Sequence, residues 1–173
     1  MKPADIPTYD GEGHVRVVVE SPSGSRVKLK YEPALDAFVF GRPLVLGLAY
    51  PFDWGFIPKT KGPDGDPLDA MVLVDLPTFP GVVMATHPLG VVEVSQKSAR
   101  GGRERNDRIL MTPVNAPRFG DLRDARALPE RVRKELEAFF VAATTLEDKG
   151  IEILGWTGPD AAAELVRRGG EAA

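Results

Sequence analysis

The sequence predicts a mainly β protein of the α+β class, on three observations. Runs of alternating apolar and polar residues, cut short by Gly and Pro, fill the first two thirds of the chain and suggest a barrel or strongly bent sheet. One strong helical repeat and a shorter one follow in the C-terminal third. The 173 residues are 43% hydrophobic and 27% charged, and a chain of that length buries about 70% of its unfolded surface. One domain over 1–173 is therefore expected.

The elements follow in order. Val15, Val17 and Val19 alternate with Arg16, Val18 and Glu20, and Val27, Leu29 and Tyr31 alternate with Lys28, Lys30 and Glu32. Strand side chains point to opposite faces with period two, so each run offers one core face and one charged face. Further strands are expected at Ala37–Phe40, Asp69–Val74, Val82–Thr86, Leu89–Val94, Ile109–Val114 and Ile151–Trp156. Leu128, Val132, Leu136, Phe139, Phe140 and Ala143 recur at helical spacing, which predicts a helix over about Pro129–Glu147 with that stripe packed inward. A second helix is expected after Gly158-Pro159, from Ala161 to Arg168, with Gly169-Gly170 stopping it and the tail fraying. The segment from Ser95 to Arg108 carries a Gly pair and four Arg, and reads as a basic loop.

Charge and composition narrow the function classes. The net charge is −3 with both signs interspersed, which leaves neither a nucleic-acid footprint nor a membrane-surface patch. There is no Cys, so disulfides and thiol catalysis are excluded and a reducing compartment fits. The first residues lack the apolar core of a signal peptide, and no apolar run approaches about 18 residues. A soluble cytoplasmic protein is the expectation.

The chemistry is concentrated in Asp64-Gly65-Asp66-Pro67-Leu68-Asp69, three carboxylates in six residues leading into the apolar run Ala70 to Val74. Unit charges about 4 Å apart repel by roughly 4 kcal/mol at an intermediate dielectric, so such a cluster invites cations. Asp oxygens suit hard ions such as Mg²⁺, Mn²⁺ or Ca²⁺, whereas zinc and copper sites recruit His or Cys, and the chain has only two His, His14 and His87. An EF-hand fails, since its fifth, sixth and twelfth loop positions would be Leu68, Asp69 and Asp75. Mg²⁺ takes one or two protein carboxylates and completes its shell with water and phosphate oxygens, which points to a phosphate-handling site. An acidic turn on a solvated surface is the competing reading of Asp-Gly-Asp-Pro. Asp69 weighs against it by standing where the apolar strand begins.

These residues resemble the soluble family I inorganic pyrophosphatases, whose signature has the form D-x-D-P-x-D. Val18-Val19-Glu20-Ser21-Pro22, Lys30-Tyr31-Glu32, Gly41-Arg42, Tyr50-Pro51, Gly55-Phe56-Ile57-Pro58 and Pro88-Leu89-Gly90-Val91 stand in the family's order. The likeness extends through the long helix to Gly155-Trp156. It implies a five-stranded OB-like barrel with flanking strands and two C-terminal helices, and Mg²⁺-dependent hydrolysis of pyrophosphate to two phosphates, with Mn²⁺ as the alternative ion. It further implies that Asp64, Asp69 and Asp107 are metal ligands and that Asp66 deprotonates or orients the attacking water. Lys30 and Arg42 would grip pyrophosphate, with Tyr50 beside them and Glu20, Glu32 and Trp54 lining the same cavity. No nucleic acid or membrane partner is implied, and a homo-oligomer, a hexamer in bacteria, is. The chain departs from the family at five places: Ala143 and Thr144 where Tyr-Lys is usual, Gln96 where an Asp is, Trp54 where a Tyr is, and Arg108 near an expected Lys. Those departures keep two alternatives open, a hydrolase of another phosphoanhydride and a non-catalytic phosphate- or nucleotide-binding homologue. An oligonucleotide-binding OB barrel would need a basic groove with stacking aromatics, which the mixed charge does not provide.

Overall fold

The structure is a computed structural model that describes residues 1–173. Its strands are β1 (Val15–Ser21), β2 (Val27–Glu32), β3 (Ala37–Pro43), β4 (Asp53–Phe56), β5 (Asp69–Val72), β6 (Val83–Lys97), β7 (Arg103–Arg105), β8 (Arg108–Pro113) and β9 (Glu152–Thr157). The helices are α1 (Glu130–Ala143) and α2 (Pro159–Glu171).

Five strands close a ring in the order β1, β4, β5, β8, β6 and back to β1. Every pairing in it is antiparallel except β5 with β8. The expected five-stranded barrel is therefore present, with β7 and β9 added along β6 and the hairpin β2–β3 standing apart. Along β5 and β8, alternate residues go to two different cores. Ala70, Val72, Ile109 and Met111 join Val17, Ile57 and Val91 with Ala162 and Val166 of α2. Met71 and Leu110 join Trp54, Val92 and Val94 with Leu136, Phe139 and Phe140 of α1. Both faces of these strands are buried, so they read as continuous apolar runs.

Several expectations are corrected. The strand β4 was not expected: Asp-Trp-Gly-Phe is only four residues long, buried throughout, and so carries no alternation. Its Gly55 is obligatory, because a Cβ there would lie 1.9 Å from the Val18 carbonyl oxygen across the β1–β4 pairing. The two strands expected at Val82–Thr86 and Leu89–Val94 are one strand, β6, whose register against β8 slips between Pro88 and Gly90. That irregularity bends the strand without breaking it. The basic loop is in part a hairpin, with Ser95, Gln96 and Lys97 pairing with Arg105, Glu104 and Arg103.

The long helix is shorter than expected. Pro129 is its N-cap, α1 ends at Ala143, and Thr145–Glu147 form a 3₁₀ turn. Thr144 and Thr145 turn their hydroxyls back onto the Phe140 and Val141 carbonyls, competing with further helix. The second helix, conversely, runs through Gly169-Gly170 to Glu171. Gly169 packs where a Cβ would sit 2.6 Å from Leu68 Cδ1, so this glycine is there for close approach and not to stop the helix. No helix is long and apolar enough to cross a membrane.

Candidate active site

The acidic turn reaches its conformation through local chemistry. Gly65 has a φ of +91°, open to glycine at no steric cost, and the Asp64 carboxylate accepts the Asp66 N–H at 3.2 Å. Leu68 is buried and its N–H donates to Thr60 Oγ1 at 3.0 Å, which anchors the turn at the mouth of β5. Asp64, Asp66 and Asp69 then face a cavity of about 360 Å³. Its far wall is the C-terminal end of α1 (Phe139, Phe140, Ala143, Thr144), its base is Tyr50 and Trp54, and the β6–β7 hairpin forms the rim with Ser98, Ala99 and Arg100. The buried aromatics Tyr50, Trp54, Phe139 and Phe140 are in mutual ring contact at 5.3 to 6.2 Å, which makes the apolar side rigid.

Cations and anions interleave along the walls. Arg42 is ion-paired to Glu147, and its guanidinium donates to the Ala143 carbonyl at 2.7 Å. A single hairpin residue is thus tied to the end of α1. Lys28 also lines the cavity, and burial pulls its pKa below the lysine value against the upward pull of Asp69. Arg108 is buried, ion-paired to Asp69, bonded to Asn106 Oδ1 and stacked 5.4 Å from the Trp54 ring centre. Burial raises the Asp64 pKa; the Asp66 N–H opposes this, while the charges of Asp69 and Asp66 add to it. Burial likewise pushes Tyr50 up to about 12.

The structure distributes the expected site residues over three adjoining recesses. Arg42, Tyr50, Trp54, Asp64, Asp66 and Asp69 line the main cavity. Glu20, Lys30 and Glu32 line a neighbouring depression, which shares Lys28, Asp66 and Asp69 with it. Asp107 lines a small recess behind the acidic turn with Asp64 and Asp69; its carboxylate accepts the Val94 N–H at 2.9 Å and pairs with Arg105. In the main cavity the polar groups contributed by this region are instead Gln96, Ser98, Arg100, Glu104, Asn106 and Arg108. Lys28 escaped sequence reasoning because it shares a polar strand face with Lys30 that alternation cannot rank, and only the family resemblance singled out Lys30. Arg103 and Arg105 do not reach the main cavity; they bind Ser95, Gly150 and Glu93 at the base of the hairpin.

No three His, Asp or Glu side chains converge as a ready-made metal cluster. The donor set nevertheless suits a hard divalent cation, because Asp64, Asp66, Asp69, Glu104, Gln96 and Asn106 offer only oxygen as ligand. An ion of the Mg²⁺ type needs one or two of those carboxylates, the rest of its shell being water and ligand oxygens.

Carboxylates facing Lys28, Arg42 and Arg108 in one cavity on a closed five-stranded ring suit the class of barrel proteins that handle phosphate. Comparison with known proteins narrows the class. A family model described as inorganic pyrophosphatase matches residues 17–173. The inorganic pyrophosphatase of Synechocystis is 38% identical over 161 residues, 93% of this chain and 92% of that one. That of Methanosarcina acetivorans is 38% identical over 151 residues, 87% of each chain. The crystal structure of the Thermus thermophilus inorganic pyrophosphatase superposes with a TM-score of 0.90 at 31% identity, covering 99% of this chain and 98% of that one. The chain belongs to the inorganic pyrophosphatase family.

Proposed function

We propose that this chain hydrolyses inorganic pyrophosphate to two phosphates with Mg²⁺ as its cofactor, Mn²⁺ being the alternative. The observation that carries the reading is the Asp64–Asp66–Asp69 turn facing Lys28 and Arg42 across one cavity, in a chain of this family. Bound divalent cations supply charge neutralisation of phosphate oxygens and ease the ionisation of water. Asp64 and Asp69 hold them, with Asp107 as the third expected ligand. Arg42 and Lys30 bind pyrophosphate oxygens, with Lys28 between them lining both recesses, and Glu20 with Glu32 extends the polar wall. Trp54 and Tyr50 form the apolar floor, from which the Tyr50 hydroxyl, held neutral by burial, can donate. Asp66, exposed at the tip of the turn, takes the proton of the attacking water as its oxygen bonds to phosphorus and the bridging P–O bond breaks. The leaving phosphate carries away the electron pair.

A single domain over 1–173, a cytoplasmic location and a homo-oligomer, a hexamer by family likeness, belong to the same proposal. The exposed side chains of Leu46, Leu76, Phe79 and Leu146 offer apolar surface to such an assembly.

The test is phosphate release from pyrophosphate, tripolyphosphate and ATP, with and without Mg²⁺. Fast Mg²⁺-dependent release selective for pyrophosphate is expected. Asp66→Asn should cut turnover by about 10² to 10⁴ with the thermal midpoint little changed, as for loss of a general base. Near-normal turnover in that variant would remove Asp66 from its role. Preference for tripolyphosphate or ATP would favour another phosphoanhydride, a reading supported by small Ala143 and Thr144 in a cavity that Arg100 and Lys149 also line.

A further inference from the structure

We propose that Arg108 is a resident cation of the cavity, which holds the Asp69 carboxylate against uptake of a divalent ion until a phosphate oxygen relieves it. The proposal rests on the reading of the cavity as a divalent-cation site. Arg108 is only 8% exposed, a placement that a guanidinium tolerates only when its charge is matched. Asp69 matches it directly; Asn106 Oδ1 accepts a second hydrogen bond, and the Trp54 ring stacks beside it. Three separate contacts thus fix one positive charge on the carboxylate that begins β5.

The surroundings reinforce that charge without competing for it. Gln96, 4% exposed, and Asn106 line the same side of the cavity as amides. The Gln96 amide is turned to Glu104, its Nε2 donating to Oε1 at 3.4 Å. An amide oxygen offers a dipole where a carboxylate would offer a full negative charge, so Glu104 is the carboxylate this region gives the cavity, and Arg108 repels a divalent cation drawn to Asp69. Lys28 adds a second positive charge that feels both Asp69 and Arg108. A phosphate oxygen is an acceptor that the guanidinium fork binds well. An incoming phosphate therefore takes Arg108 as its own partner and frees Asp69. Cation uptake and phosphate binding are coupled through this one side chain.

The experiment measures Mn²⁺ binding by electron paramagnetic resonance, with and without inorganic phosphate, in the full chain and in Arg108→Met. Metal affinity without phosphate is expected to be about tenfold tighter in Arg108→Met, as loss of a nearby like charge dictates. Phosphate should tighten Mn²⁺ binding by about tenfold in the unaltered chain and hardly at all in the variant, a coupling of ordinary size. Circular dichroism checks that the variant is folded; where it is not, Arg108→Gln, which keeps a donor for Asp69, carries the same test. Equal or weaker Mn²⁺ affinity in a folded variant overturns the proposal, as does phosphate coupling that survives it. Absence of Mn²⁺ binding by either protein overturns the proposal together with the cation reading of the site. Metal-dependent phosphate release with Mn²⁺ affinity unmoved by the substitution overturns the proposal alone.

Discussion

Glu20 reaches back from β1 to accept the Tyr31 N–H at 2.7 Å, and burial pushes its pKa up to about 7, against the pull of that hydrogen bond and with the help of the Asp69 charge. Its folded value lies above the ordinary 4.5. The proton-bound form is therefore the one the fold prefers, so the stability it contributes is present below about pH 4.5 and is lost as pH rises through 7. Glu20→Gln should raise the thermal stability of the metal-free protein at pH 8 by about 2 kcal/mol and leave it unchanged at pH 4. Thermal melts at the two values check both arms. The two aspartates of the turn separate by their partners. Asp64→Asn removes no ion pair and should raise the Mg²⁺ concentration needed for activity with the melt little altered. Asp69→Asn strips the buried Arg108 of its counter-charge and should in addition cost about 3 kcal/mol of stability. Equal melts for the two variants would show that the Arg108 pairing contributes nothing to folding.

At the level of elements, α2 depends on a glycine that composition alone misreads. Gly169→Ala should destabilise the chain by about 2 kcal/mol, because its methyl group must displace Leu68 and Thr60, the residues that anchor the acidic turn. A midpoint shift in urea, with a loss of Mg²⁺ affinity beside it, checks the connection. Residues with a period were legible in the sequence: the valines of β1, the alternation of β2, and the stripe Leu136, Phe139, Phe140 that seats α1. What escaped was set by contacts across the chain. A four-residue strand such as β4 is specified by its neighbours, and Gly169 shows its purpose only once Leu68 is beside it. The site was legible where motif and geometry coincide, at Asp64, Asp66, Asp69, Arg42, Tyr50 and Trp54. Elsewhere the hairpin decided: the pairing of Gln96 with Glu104 and the anchoring of Asp107 by Val94 and Arg105 bring Asn106 and Arg108 to the cavity.

Across the whole molecule, ring closure joins residues far apart in sequence, since Val15 pairs with Thr86 and Asp53 with Val72 before β8 is reached. The Thr86 hydroxyl adds a buried hydrogen bond to the Val15 carbonyl at 2.7 Å, fastening the seam at its start. The cavity lies where three parts of this frame meet: the turn before β5, the hairpin from β6 and the end of α1. The strand β6 binds the frame together, pairing with β1, β8, β9 and β7 in turn along its 15 residues. At Val91 and Val92 it is flanked on both edges at once, by Ile109 and Arg108 on one side and Thr157 and Trp156 on the other. Successive amides of a strand point to opposite edges, so those of this stretch directed at β8 are freed only when the ring itself opens, and in deuterated solvent their protons should be replaced only at the rate set by global unfolding. The hairpin tip at Gly101 and Gly102 should exchange within seconds, making β6 at once the slowest clock in the protein and the stem of its fastest.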